Sequence, residues 1–417
     1  MNGIIMERRI MPGIVVVAAI SLAALSCSRE RPEASVDARI ARVERSLVEF
    51  TTPLAAIDPE GVDPLQLKTL PERMEHFKVP GLDVAVIDDY ELAWARPYGL
   101  LKAGGTEPVT NDSYFQAAST SKLITAAIVM HLVDEGLLNL DHDINDYLHS
   151  WEIPGNEFTR QQKVTLRLLL THQAGLPSTS FPTEEGAGEP TLVEILNGQL
   201  PAMNKPAIVE YVPGTKWQYS NLGFVVIQQV LEDILDMPFP QIAREILFNP
   251  LGMEHSTFAY PLEPDRGAEE AMPHDAEGNA AEPALSPSAS AHGGLITTPS
   301  DLALFAIELM MAYEGSSNKL LSQAAARHMF TKQIDIDPAI LGVPLGQGLG
   351  TLLYEMDGGL VFLHPGSNLP GTTCWLSGQL QTGKGIVIMT NAAMGEVLAL
   401  EIVPAIEIEY DWISVPE

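Results

Sequence analysis

The sequence predicts an α+β (α/β) fold: an antiparallel sheet flanked by helices, with an inserted all-helical lobe. Two observations carry this. Strand-like alternation occurs near one end in "LDVAVIDDYELAWARPYGL" (82–100) and near the other in four runs after Gly348. Between them, residues 137–290 carry mostly helical spacing of apolar residues. A period of two marks a half-buried strand, and a spacing of three and four marks a helix face.

Each element has its own signal. Asp88-Asp89 cuts the first alternating stretch into a hairpin. "STSKLITAAIVMHLVDEG" reads as a helix over 119–135, apolar nearly all round and closed by Gly136. In "NLGFVVIQQVLEDILDM", Val226, Val230, Ile234 and Met237 recur at helical spacing until Pro238. Residues 263–294 are rich in Gly, Pro, Ala and Ser and read as loop, with a short hairpin around Asp275–Gly278. A helix follows, with Ser300 as its expected cap. "LGTLLYE", "GLVFLHPG", "TCWLSGQL" and "GKGIVIMTN" are the four late strands, and a helix from about Met394 to Glu409 ends the fold.

Composition bounds the function. The 417 residues include 54 acidic and 24 basic side chains, a net charge of −30. Nucleic-acid binding needs a basic surface, so it is excluded as a reading. Electrostatic docking on anionic lipid is excluded for the same reason. Membrane association is expected only through an N-terminal anchor. Residues 1–26 place Arg8-Arg9 before an apolar run that ends at Ser26-Cys27, the layout of an export signal. The terminal cysteine resembles a lipoprotein signal with Cys27 acylated, although Ala24 and Leu25 depart from the usual residues. Plain secretion or a membrane anchor are the alternatives. The expected location is therefore the cell envelope or outside the cell. Residues 27–60 read as a tether with a helical piece over Asp37–Phe50. Residues 61–413 form the folded domain, with the lobe 137–290 inserted. Cys374 is the only other cysteine and reads as a small buried hydrophobe.

The chemistry begins with Ser119 and Lys122. Three residues is close to one helical turn, so the two side chains share a face. The first-turn N–H groups favour negative charge at Ser119, and a lysine made neutral by burial could take its proton. A second Ser-x-x-Lys, Ser316 to Lys319, lies in a polar turn and is set aside. Tyr219-Ser220-Asn221 is the only Tyr-x-Asn in the chain. Next to a cation, Tyr219 would have a lowered pKa and serve as a base. The Asn221 amide could bond Lys122 or a substrate carbonyl. His364-Pro365-Gly366-Ser367 ends an apolar strand, where Gly366 admits a close approach of substrate backbone. The N–H groups of Ser119 and Ser367 could then form an oxyanion hole. His292-Gly293-Gly294 competes for this role but has a turn explanation. His172 reads as a structural turn histidine. Asp141-His142-Asp143 has no second ligand cluster at metal spacing, so neither a metal nor another cofactor is expected.

Ser-x-x-Lys, Tyr-x-Asn and His-x-Gly in this order resemble the serine β-lactamase and penicillin-binding-protein superfamily, in its class C β-lactamase-like branch of esterases and D-peptidases. The likeness runs from about Leu82 to Trp412 and includes "VTLRLLLTHQAGLP", "FNPLGMEHSTF" and "HGGLITTPSDLALFA". Tyr-Ser-Asn in place of Ser-Asp-Asn points to the branch with a tyrosine base. Glu194-Ile195-Leu196-Asn197 is one residue too short for the class A Glu-x-x-Leu-Asn motif. The Lys-Thr-Gly of β-lactamases is replaced by His364-Pro365-Gly366, which removes a fixed cation and argues for weak β-lactamase activity. The resemblance implies a serine hydrolase in which Ser119 forms an acyl-enzyme and Tyr219, coupled to Lys122, moves the proton. Its substrate would be a small ester, amide or peptide. The alternative is a non-catalytic penicillin-binding or sensor-type lipoprotein of the same fold.

Overall fold

The structure is a computed structural model that describes residues 35–48, 67–267, 269–356 and 358–412. The proposed export signal and Cys27 lie outside the described residues. The predicted helical piece before Phe50 is shorter than expected, a helix α1 over Val36–Val43.

Among the described residues, one antiparallel sheet has eight strands. In chain order they are β1 (Gly81–Asp88), β2 (Glu91–Gly99), β3 (Ile334–Ile336), β4 (Leu345–Gln347), β5 (Leu352–Met356), β6 (Gly359–Asn368), β7 (Thr372–Gln379) and β8 (Lys384–Thr390). Their spatial order is β2-β1-β8-β7-β6-β5-β4-β3. The early hairpin thus shares one sheet with the late strands, as the alternation predicted, and joins it through the last strand, β8. The three-residue strands β3 and β4 were not anticipated. Pro338, Gly342 and Pro344 fall between them and hide any alternation.

The pleat sorts β1 onto two cores. Leu82, Val84 and Val86 face one way with Ile386, Ile388, Trp375 and Leu363. Ala85 and Ile87 face the other way with Val387, Met389, Cys374, Leu376 and Phe362. The period-two rule therefore holds, yet the strand is buried on both faces and reads as a near-continuous apolar run. Helix α5 (Gly395–Glu409) covers the first face. There Arg73 and Glu401, both buried, form a two-pronged ion pair at 2.7 Å.

The second face carries α2 (Ser121–Asp134) and α4 (Pro299–Glu314). Helix α2 is buried on nearly every side, as its lack of a polar face requires. The cap of α4 is Thr298, not Ser300. Its hydroxyl accepts from Asp301 N–H at 3.2 Å. Pro299 suits the first helical position, which moves the cap one residue upstream of the proline. Helix α3 (Asn221–Leu235) packs against α2 from the lobe, with Ser220 as its cap. The expected hairpin near Asp275 is a turn closed by a single bridge, His274 to Ala280.

Candidate active site

Ser119 does not begin an α-helix. It lies in a single tight turn, Ala118–Thr120, ahead of α2. Ala118 has φ of 48°, a left-handed conformation that costs a residue with a Cβ about 1 kcal/mol. The strain is held in place by Ser121, whose hydroxyl donates to Ala118 O at 2.5 Å and accepts from Leu295 N–H at 3.0 Å. The result leaves Ser119 half-buried while Lys122, one turn on, is fully buried.

Lys122 Nζ lies 3.2 Å from Ser119 Oγ and donates to the carbonyl of His292 at 2.6 Å. Burial lowers its pKa well below the ordinary lysine value. Tyr219 arrives from the turn before α3, and Nζ stands 4.9 Å from the centre of its ring. Burial raises the phenol, an effect the neighbouring Ser119 hydroxyl partly offsets. This corrects the expectation of a tyrosinate stabilised by a cation. Desolvation acts on both groups in the direction of neutrality, lowering the amine and raising the phenol.

The edge of β6 supplies the third part. Pairing with β5 ends at Leu363, whereas pairing with β7 runs on to Asn368. The Leu363 carbonyl points to the β5 side, where it accepts from Thr351 Oγ1 at 3.3 Å. The Leu360 carbonyl points to the β7 side, toward Leu380 N–H. Backbone groups alternate along a strand, so Pro365 and Ser367 face the edge that β5 has left. Pro365 has no N–H to lose there, and by the same alternation the Ser367 N–H lies on this open edge. Gly366 lies under Ser119: an added Cβ would overlap Ala117 O and come within 3.1 Å of Ser119 N. The Thr120 hydroxyl donates to His364 O at 3.0 Å, fastening the strand to the turn.

His364 is buried, and its pKa is lowered to about 3 by burial and then by Lys122. His292 is lowered to about 3 for the same reasons. His172 is also pushed well below its usual value, first by burial and then by Lys122 and His364. Burial is the first cause of the shift in all three imidazoles.

Two positions were underrated in the sequence. His292 was set aside as a turn residue, yet its carbonyl holds Lys122. His172 does occupy a turn, at φ of 57°, but its ring centre lies 4.4 Å from that of Tyr219. The Ser220 N–H donates to His172 Nδ1 at 3.3 Å, so the histidine also fixes the chain next to the tyrosine. Asn221 does not bond Lys122. Its Nδ2 donates to Thr179 O at 3.2 Å, while its buried Oδ1 has no hydrogen-bond partner. Thr179 and Phe181, whose ring lies 4.7 Å from His292, bring the loop 178–190 to the site. Asp141 pairs with Arg167, and Ser316 bonds its own helix end, so both are engaged elsewhere.

The family model described as Beta-lactamase matches residues 68–406. The chain belongs to the Beta-lactamase family. Within that family it is similar to Penicillin-binding protein 4 of Amycolatopsis lactamdurans. The two are 30% identical over 334 residues, 77% of this chain and 83% of that protein. It is 28% identical over 207 residues to Unguisins hydrolase ungD' of Aspergillus campestris, covering 46% of this chain but only 36% of that protein. The fold is similar to a solved class C beta-lactamase, with a TM-score of 0.65 and 20% identity over 80% of this chain and 93% of that one. Family membership and fold agree with the resemblance carried by the three motifs.

Proposed function

We propose that the protein is a serine hydrolase acting through an acyl-enzyme on Ser119, with neutral esters or internal amides as substrates. The observation that carries this is the buried amine of Lys122 at 3.2 Å from the Ser119 hydroxyl. In the first step the Ser119 oxygen attacks the substrate carbonyl and its proton passes to the Lys122 amine. Tyr219 hands a proton to the leaving group and regains one from the Lys122 ammonium, and the Ser119 and Ser367 N–H groups receive the oxyanion. Water then attacks the acyl-enzyme, losing its proton to the same pair, which returns a proton to the Ser119 oxygen as the acid leaves.

The preference for neutral substrates rests on the site's charge. A terminal carboxylate needs a fixed cation or a donor pair, and His364 is neutral while Pro365 offers no N–H or hydroxyl. The name of the Amycolatopsis relative favours the rival reading, a penicillin-binding D-peptidase. A panel of p-nitrophenyl esters, nitrocefin and a D-Ala-D-Ala peptide separates them: ester turnover should dominate, and faster nitrocefin or peptide cleavage would reverse the order. Ser119→Ala should abolish both turnover and fluorophosphonate labelling. Activity retained in a folded Ser119→Ala protein would refute the assignment. Export with acylation at Cys27 is part of the same reading, and radiolabelled palmitate incorporation that a Cys27→Ala change removes is its check.

A further inference from the structure

The backbone that presents the His292 carbonyl is a short turn, in which Gly293 N–H donates to Ser290 O at 3.1 Å. Residues Pro287–His292 form two tight turns merged across a kink at Ala289, with φ −122° and ψ 56°. Side chains from two helices take up the peptide groups beside it. The Ala291 N–H is held by Gln228 Oε1 of α3 at 3.0 Å. The Ala291 carbonyl accepts from Thr125 Oγ1 of α2 at 2.8 Å. Gln228 Nε2 also donates to Ser288 O at 2.9 Å, so a single amide grips both ends of the turn. Just beyond, Asn368 Nδ2 donates to Gly293 O at 3.2 Å. Thr125 and Gln228 are both buried.

We propose that Thr125 and Gln228 are positioning residues: they clamp the Ala291 peptide so that the adjoining His292 carbonyl orients the Lys122 amine toward Ser119. The inference rests on the hydrolase reading above. A neutral amine has two N–H donors and one lone pair. Committing one N–H to His292 O restricts rotation about the Cε–Nζ bond and leaves the lone pair free to face the Ser119 hydroxyl. The carbonyl can do this only if the backbone leading into it is fixed, and Thr125 and Gln228 hold the two peptide groups that precede its own. Thr125 is three residues beyond Lys122 on α2, so one turn of helix carries both the amine and part of the clamp. Gln228 is two turns beyond Asn221 on α3, which ties that helix to the same turn.

The test uses the full chain. Wild type, Thr125→Val, Thr125→Ser and Gln228→Glu are compared for p-nitrophenyl butyrate hydrolysis, fluorophosphonate labelling of Ser119 and melting temperature. Thr125→Val keeps the shape and loses the hydroxyl. It should lower kcat about 10- to 100-fold with KM within about twofold. Thr125→Ser should restore most of the rate. Gln228→Glu keeps an acceptor for Ala291 N–H and loses the donor to Ser288, so a smaller fall in kcat is expected. The proposal is overturned by an unchanged kcat in folded Thr125→Val, by a loss that Thr125→Ser does not rescue, or by a change confined to KM. It also falls if neither Thr125→Val nor Gln228→Glu folds, because the clamp is then architectural. A wild-type Ser119 inert to fluorophosphonate defeats the hydrolase reading itself. That outcome is distinct from a labelled wild type whose variants label equally fast.

Discussion

Gly366 on β6 lies so close to Ala117, at the entrance to the Ser119 turn, that a methyl group on it would overlap the Ala117 carbonyl oxygen. Strand and turn are therefore set against each other without room for a side chain. Gly366→Ala should push the two apart and separate the Ser119 and Ser367 N–H groups. The expected result is a fall in the fluorophosphonate labelling rate of at least ~100-fold, the scale of losing an oxyanion donor. Stopped-flow labelling and circular dichroism together check it; unchanged labelling in a folded variant counts against the oxyanion assignment.

On the proposed mechanism, the Lys122 amine should set the acid side of the pH profile. Burial lowers its pKa, so kcat/KM should rise with pH as the folded protein loses that proton, well below the ordinary lysine range. The stability sign follows from the same shift. Between the folded value and 10.5 the unfolded chain carries a proton that the folded chain lacks, so stability rises with pH across that window. Lys122→Met should remove ~10²–10⁴-fold of the rate, abolish the acid limb and flatten the stability slope. Rate profiles and urea titrations at several pH values read all three.

His364→Lys places a cation where the protein has a neutral imidazole. Substrates with a free carboxylate should gain relative to neutral esters, by about tenfold or more in the ratio of kcat/KM. Nitrocefin and p-nitrophenyl butyrate measured side by side give the ratio. No change would mean that the substrate carboxylate does not reach this strand.

Asp83 on β1 is fully buried, and neither carboxylate oxygen has a hydrogen-bond partner. It shares a row across the sheet with Met389, Cys374 and Gly366. Burial raises its pKa from 3.8 to about 8. Between those values the folded state holds a proton that the unfolded chain has released, so stability falls as pH rises through that window. Asp83→Asn cannot ionise and should flatten the decline in melting temperature between pH 5 and pH 8, assay conditions that bracket most of the window, while leaving kcat unchanged.

The legible parts of the molecule were those written in side-chain pattern. Val84, Val86, Ile386 and Ile388 alternate with residues of the opposite face, so strands at both ends of the chain could be read and joined into one sheet. The run after Ser119 has no polar face, so it had to be buried, and Lys122 with it. The three-residue strands β3 and β4 were too short to show a period. The cap at Thr298 lies two positions before the expected Ser300, because Pro299 takes the first helical position.

By itself, then, the chain determined the sheet, the buried helix, and the spacing that puts a hydroxyl and an amine on one helical turn. These depend on local periodicity, which neighbouring residues carry. Tertiary structure decided that burial pushes Tyr219 and Lys122 both toward neutrality, that His172 packs on Tyr219, and that the His292 carbonyl holds the amine. A backbone carbonyl is the same atom in every residue and leaves no mark in the sequence. A pKa is set by how much water surrounding segments exclude, and here those segments come from positions as far apart as 119 and 364.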